Sequence, residues 1–232
     1  MNNPFDFFER IYCINLPERT DKWQQCLEEF NKLGIQDKVI KFNAIKFIGE
    51  LPQQLRWINI RACGCTASHR EIIKICSNEN VKNVLVLEDD IEFHNEPIKN
   101  LSLSINELKE KEWDIFYLGM NVTDEKIKEP LERVGLNLLR IKSALTTHAI
   151  SYNSSAFKPI LSYIPEGLDL IHWQARNESY DAFFMRHFLS QNKAFCTNEY
   201  LATQRDSFSD INLGNATHGK PIMENFYKMR PA

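Results

Sequence analysis

The chain has no apolar stretch approaching the roughly 20 residues that a helix needs to cross a bilayer, so no transmembrane segment is expected. It has no excess of positive charge either. Its 28 Lys and Arg are outweighed by 31 Asp and Glu, for a formal net charge of -3. Without a long basic block it has nothing to track a phosphate backbone, and nucleic acid is excluded as a partner. The opening MNNPFDFFER lacks the basic start and uninterrupted apolar core of a signal peptide, and a cytoplasmic protein is the expectation. The six cysteines, at 13, 26, 63, 65, 76 and 196, show no pairing pattern. Most lie in apolar runs, where a thiol is a small buried hydrophobe, and reduced thiols are expected in the cytoplasm. No second Cys/His pair is spaced to complete a zinc site with Cys63 and Cys65. Triplets such as Asn121-Val122-Thr123 follow from an Asn-rich composition rather than glycosylation. No repeat, low-complexity tract or linker divides the chain, and its 232 residues suit a single domain, 1–232.

What is present is an alternation of strand and helix patterns. Ile11 to Leu16 reads as a strand that Pro17 ends. Thr20 or Asp21 caps a following helix with Trp23, Leu27, Phe30 and Leu33 on one face and Gly34 at its end. Val39 to Ile45 alternates as a second strand, Thr66 to Cys76 reads as a helix, and Val84 to Leu87 as a strand covered on both faces. A helix from Leu101 to Lys111 and a strand from Trp113 to Leu118 complete the first half. This order predicts an α/β fold, a Rossmann-type, mostly parallel sheet with helices on both faces. In the second half, Leu138–Ile141 and Thr147–Tyr152 read as a hairpin or an edge extension. Ser154 or Ser155 starts a helix that bends at Pro159, and Tyr180–Ser190 forms another. Leu168–Glu178 has no clear pattern, and the polar segment after Arg205 reads as a loop or tail.

Chemistry concentrates in VLVLEDDIEF, 84–93, where Glu88, Asp89 and Asp90 end an apolar strand. With a strand period of 2, Glu88 and Asp90 share a face and Asp89 takes the other. Ligands of open α/β sheets bind beyond the carboxyl ends of the strands. A divalent cation that prefers oxygen, Mn²⁺ or Mg²⁺, would offset the repulsion among the three acids. Glu88 and Asp90 are therefore the candidate metal ligands, with Asp89 turned toward a nucleotide or the backbone. A solvated turn is the plainer reading of such a triplet, and phosphoesterases also place acids at strand ends.

The order of the surrounding motifs resembles glycosyltransferase family 25, which includes lipopolysaccharide β-galactosyltransferases and collagen galactosyltransferases. The matching pieces are IYCINLPERTDKW, GCTASHREIIK, VLVLEDDIEF and WDIFYLG. Fainter echoes are THAISYNSSAFKPIL, SYDAFF and QRDSFSDI. The resemblance implies a GT-A fold and a nucleotide-sugar donor, usually UDP-galactose. It also implies inversion at the anomeric carbon and a glycan, lipopolysaccharide or protein hydroxyl as acceptor. It places Asn15 and Arg19 at the donor, where a guanidinium fork matches phosphate oxygens, and adds Ser68 and His69, read as lying in the first turn of a helix. Asp181 falls at the family's later acidic position and is the candidate base for the acceptor hydroxyl. Asp206 and Asp210 are its substitutes, and His218 is a reserve metal ligand. Asp114 reads equally as a substrate contact or a structural hydrogen-bonding group. The chain departs from the family in carrying Glu18-Arg19 where a basic pair is common, and 121–137 matches nothing in it. The rival readings are another metal-dependent phosphoesterase and a nucleotide-sugar-binding protein without turnover.

Overall fold

The computed structural model describes residues 3–47, 51, 53–122, 130–177, 179–211, 213–216 and 219–231. His218 and part of the unmatched 121–137 segment lie outside them. The first half follows the alternating pattern: β1 (Arg10–Asn15), α1 (Thr20–Lys32), β2 (Val39–Asn43), α2 (Ile60–Asn78), β3 (Asn83–Glu88), β4 (Ile91–Phe93), α3 (Pro97–Leu108) and β5 (Ile115–Val122). β6 (Leu131–Arg133), β7 (Leu138–Ile141) and β8 (Ala144–Asn153) come next. They lead into α4 (Ser154–Tyr163), α5 (Asp169–Asn177) and α6 (Tyr180–Phe183), which runs on as a π-helical turn, Phe184–Phe188. β9 (Ala194–Thr197), β10 (Ala202–Gln204), β11 (Ser207–Ser209), β12 (Gly214–Ala216) and α7 (Gly219–Met229) close the described chain.

Eight strands form one sheet in the order β2-β1-β3-β8-β5-β9-β7-β6. β1 pairs parallel with β2 and β3, and β5 with β9. Only β8 and β7 run against the common direction, so the expected α/β class, mostly parallel in strand direction, is what forms. One face packs on α2, α4, α5, α6 and α7 through residues such as Ile72, Ile160, Trp173, Phe184 and Phe226. The other packs on α1 and α3 through Cys26, Phe30, Leu101 and Ile105. β3 shows why its apolar run is continuous: Val84 and Val86 enter the first core and Leu85 and Leu87 the second.

Several expectations are corrected. β7 and β8 do not form a hairpin. β7 joins the sheet edge between β9 and β6, while β8 inserts antiparallel between β3 and β5. Strand patterns set which face is buried, but the order across the sheet depends on long-range pairing. α2 begins at Ile60 and is capped by the Asn59 side chain, which accepts from the backbone N–H groups of Arg61 and Ala62. Thr66 therefore lies inside the helix rather than at its start, and Ser68 and His69 sit in mid-helix rather than in a first turn with free N–H groups. At α1, Arg19 rather than Thr20 or Asp21 takes the N-cap position. The unpatterned segment forms α5. The tail after Arg205 contains the β11–β12 hairpin and α7, whose Ile222 and Phe226 are buried.

β5 and β8 do not match evenly. Their register shifts on either side of Gly119, and at the same level Thr146 adopts a φ of 66°, an uncommon conformation for a β-branched residue. A Cβ on Gly119 would lie 1.8 Å from the Ala202 carbonyl oxygen, so only glycine lets β10 cross β5 here. This irregularity lies at the carboxyl end of β5, beside the candidate site.

Candidate active site

The strand alternation does not continue through the acidic triplet. β3 stops at Glu88, Asp89 and Asp90 form a turn, and β4 then pairs antiparallel with β10. The three carboxylates are thereby sent to different partners. Glu88, on the α2 side, accepts at Oε1 from the Thr147 hydroxyl (2.9 Å) and lies 3.3 Å from His69 Nε2. The other His69 nitrogen is 3.0 Å from the Tyr152 hydroxyl, which also accepts from Tyr180. His69 and Tyr152 are fully buried. Burial alone would raise the Glu88 pKa. The His69 hydrogen bond, His148 and Thr147 more than offset it and hold the carboxyl below its ordinary value.

Asp89 turns toward β1 and α1. It accepts from Asn15 Nδ2 at 2.7 Å and lies 3.4 Å from Lys22 Nζ. Burial raises its pKa, and Lys22 and Asn15 only partly counter this. Asp90 accepts from Gln204 Nε2 at 3.2 Å through Oδ2. Its Oδ1 is buried and has no hydrogen-bond partner among the described residues, and the same holds for Asn15 Oδ1. Burial, with Glu88 and Asp89 close by, pushes the Asp90 carboxyl up to about 7. Unpaired buried carboxylate oxygen is costly unless a cation or donor meets it. Glu88 Oε2 takes no part in the bonds to Thr147 and His69. Together with Asp90 Oδ1 it offers the hard oxygen ligands that Mg²⁺ or Mn²⁺ prefers, and the residues fit such an ion.

A cationic pair borders the acids. Arg19 reaches Asp21 (3.0 and 2.8 Å) and Asp210, while Lys22 lies between Asp89 and Asp210, 3.5 Å from the latter. Lys22 is only 6% exposed, so its ammonium is held among these carboxylates rather than in solvent. Lys22 is not among the candidates that the sequence singles out. The available signal was its place one turn beyond Arg19, on the same side of α1. Asp210, from the segment expected to be a loose tail, occupies the position where an anionic ligand would meet both cations.

Other candidates fall into distinct settings. Ser68 is fully buried, donates to the Gly64 carbonyl and accepts from the Ile45 N–H, so it ties α2 to the end of β2 and does not face the acids. Asp181 accepts from the N–H of Thr146 and of Ala182, each at 2.9 Å, and from the Ser179 hydroxyl. The strained Thr146 thus fixes the Asp181 carboxylate. Asp206 accepts from Gly219 N–H at 3.3 Å. Asp114 lies at the start of β5, at the opposite end of the sheet, and accepts from the Lys193 N–H and the Ser155 hydroxyl, which settles it as structural. Cys65, one helical turn before His69, lies near Glu88, and burial followed by Glu88 and Asp181 pushes its thiol well up.

Among known proteins, the model of glycosyltransferase family 25 (LPS biosynthesis protein) matches residues 8–205. A glycosyltransferase 25 family member of Anopheles gambiae is 27% identical over 209 residues, covering 78% of this chain and 34% of that protein. Procollagen galactosyltransferase 2 of Homo sapiens is 24% identical over 146 residues, covering 55% of this chain and 23% of that protein. The chain thus spans about a third or less of the length of these relatives. A solved glycosyltransferase involved in glycosylation of the major capsid of PBCV-1 aligns with a TM-score of 0.44 and 10% identity, over 81% of this chain and 79% of that one. No helix among the described residues is long and apolar enough to cross a membrane. Because the family match takes in β1 through β10 and every residue gathered at the strand ends except Asp210, this chain belongs to glycosyltransferase family 25.

Proposed function

We propose that the chain transfers a hexose, galactose or a close relative, from a UDP-linked donor to an acceptor hydroxyl with inversion, assisted by Mn²⁺ or Mg²⁺. The observation that carries this reading is the juxtaposition of two features at one sheet end. One is the acid turn with its unpartnered Asp90 oxygen, and the other is the Arg19–Lys22 cation pair. A nucleoside diphosphate with a divalent cation complements both. Glu88 and Asp90 would hold the cation, which when bound neutralises charge on the departing diphosphate. Arg19 and Lys22 receive the phosphate oxygens in place of Asp210. Asn15 and Asp89 present an acceptor oxygen and a carboxylate to the nucleoside. His69 orients Glu88, and Ser68 acts one step away by holding α2 in place. Asp181, oriented by Thr146, takes the proton of the acceptor hydroxyl as that oxygen attacks the sugar.

The human relative's name supports galactose as donor sugar and a protein acceptor, and the family's description supports a lipopolysaccharide or other glycan acceptor. All six cysteines are free, in keeping with a reducing compartment, and we place the chain in the cytoplasm.

The test is a panel of nucleotide sugars with Mn²⁺ or Mg²⁺, read by nucleoside diphosphate release. One UDP-hexose should be turned over, and chelation should stop it. Asp181→Asn should lower kcat by about 100-fold or more while donor binding is retained. Cleavage of phosphoesters without a sugar donor would favour the phosphoesterase reading. Donor binding without turnover toward any acceptor would favour a binding protein.

A further inference from the structure

Cys65 and His69 stand one turn apart on α2, and the helix presents both to the end of β3, where Glu88 lies. A thiol sulfur, an imidazole nitrogen and a carboxylate oxygen from these residues all fall within 4.8 Å of one another. Donors bound about 2.0–2.3 Å from one tetrahedral ion lie roughly 3.3–3.8 Å apart, so small side-chain adjustments would bring the three onto a common ion. His69 is already held as a metal-ligating histidine is: Nδ1 meets the buried Tyr152 hydroxyl and Nε2 points to the cluster. The sulfur and nitrogen donors match a softer ion than the oxygen pair of the acid turn.

We propose that Cys65, His69 and Glu88 form a second metal site, for a thiophilic divalent cation of the zinc class, with its fourth position open. The site uses Glu88 Oε1, the oxygen facing His69, and leaves Oε2 uncommitted to it. Its third ligand is a carboxylate from a different element, the end of β3. It rests on these three side chains alone and not on the transferase reading.

Cobalt(II) is the probe. Titration of the metal-free chain should give the visible bands of tetrahedral Co²⁺ and a thiolate-to-cobalt charge-transfer band in the near ultraviolet, saturating at one ion per chain. Zn²⁺ should bleach both. Cys65→Ser should lose the charge-transfer band, Cys63→Ser should keep it, and His69→Gln should weaken Co²⁺ binding at least tenfold. Absence of the band in the unmodified chain overturns the site, whatever the folding of the variants. Persistence of the band in Cys65→Ser overturns the assignment to Cys65. A chain that turns over a nucleotide sugar with Mn²⁺ but shows no cobalt–thiolate band loses this site only. A chain with the band and no turnover loses only the transferase reading.

Discussion

Asp90 carries its charge in a place that disfavours it. Its carboxyl is raised to about 7 by burial and by Glu88 and Asp89. A carboxyl with a folded pKa above its unfolded value holds a proton in the native state that the unfolded chain has released. The native state therefore loses stability as pH rises from about 4 to about 7, and the loss is complete above that. Asp90→Asn removes the burden. It should raise the melting temperature of the metal-free chain at pH 8, shrink that gain toward pH 4, and abolish stabilisation by Mn²⁺. Thermal denaturation across pH, with and without the ion, checks all three. Lys22 poses the opposite case, a buried cation among acids. Lys22→Met keeps much of the stem's packing but removes the ammonium, and should weaken UDP binding at least tenfold, about 1.4 kcal/mol, in metal-free calorimetry.

At the scale of elements, the site depends on how β5, β8 and β10 are fitted together. β10 carries Gln204 to Asp90, and β8 carries Thr147 to Glu88 and Thr146 to Asp181. Both strands meet β5 at Gly119, where any Cβ would strike backbone of β10. Gly119→Ala should therefore cost about 1–3 kcal/mol of stability, read by urea denaturation. It should also reduce turnover more than donor affinity, because Arg19 and Lys22 lie on α1, away from the displaced strands. α7 is the other element whose role depends on packing. Phe226 is fully buried against Tyr200, and Phe226→Ala should destabilise the chain by about 3–5 kcal/mol. Chemical denaturation checks this, and wild-type-like stability would show that α7 is not part of the core.

Across the whole molecule, both cores share one sheet, so a ligand at its carboxyl end should stabilise the structure as a unit. UDP with Mn²⁺ at 100 times its Kd should add about 2.7 kcal/mol. A single shifted thermal transition that chelation reverses is the expected observation. Much of this frame was legible in the sequence. The first strands and helices, the two-sided burial of Val84–Leu87 and the carboxyl-end location of the acids all follow from local periodicity, because each repeat of apolar residues defines a face. Asn15, Arg19, His69 and the acids stand out in the sequence as candidates, the two proposed metal ligands by strand periodicity and the others largely by the family resemblance. Less legible was where each carboxylate turns. The strand period put Glu88 and Asp90 on one face, but the strand ends at Glu88, and partners then decide: His69, 19 residues earlier, Lys22 on α1, and Gln204 near the end of the chain.

By itself, then, the sequence determined an α/β alternation, a family and an acidic strand end, because these depend on patterns within a few turns or strands. Tertiary structure alone decided that β8 lies between β3 and β5, that Asp210 meets Arg19 and Lys22, and that Cys65 and His69 face Glu88. Those contacts join residues far apart in the chain. Their energies come from shared burial and charge, which no local pattern encodes.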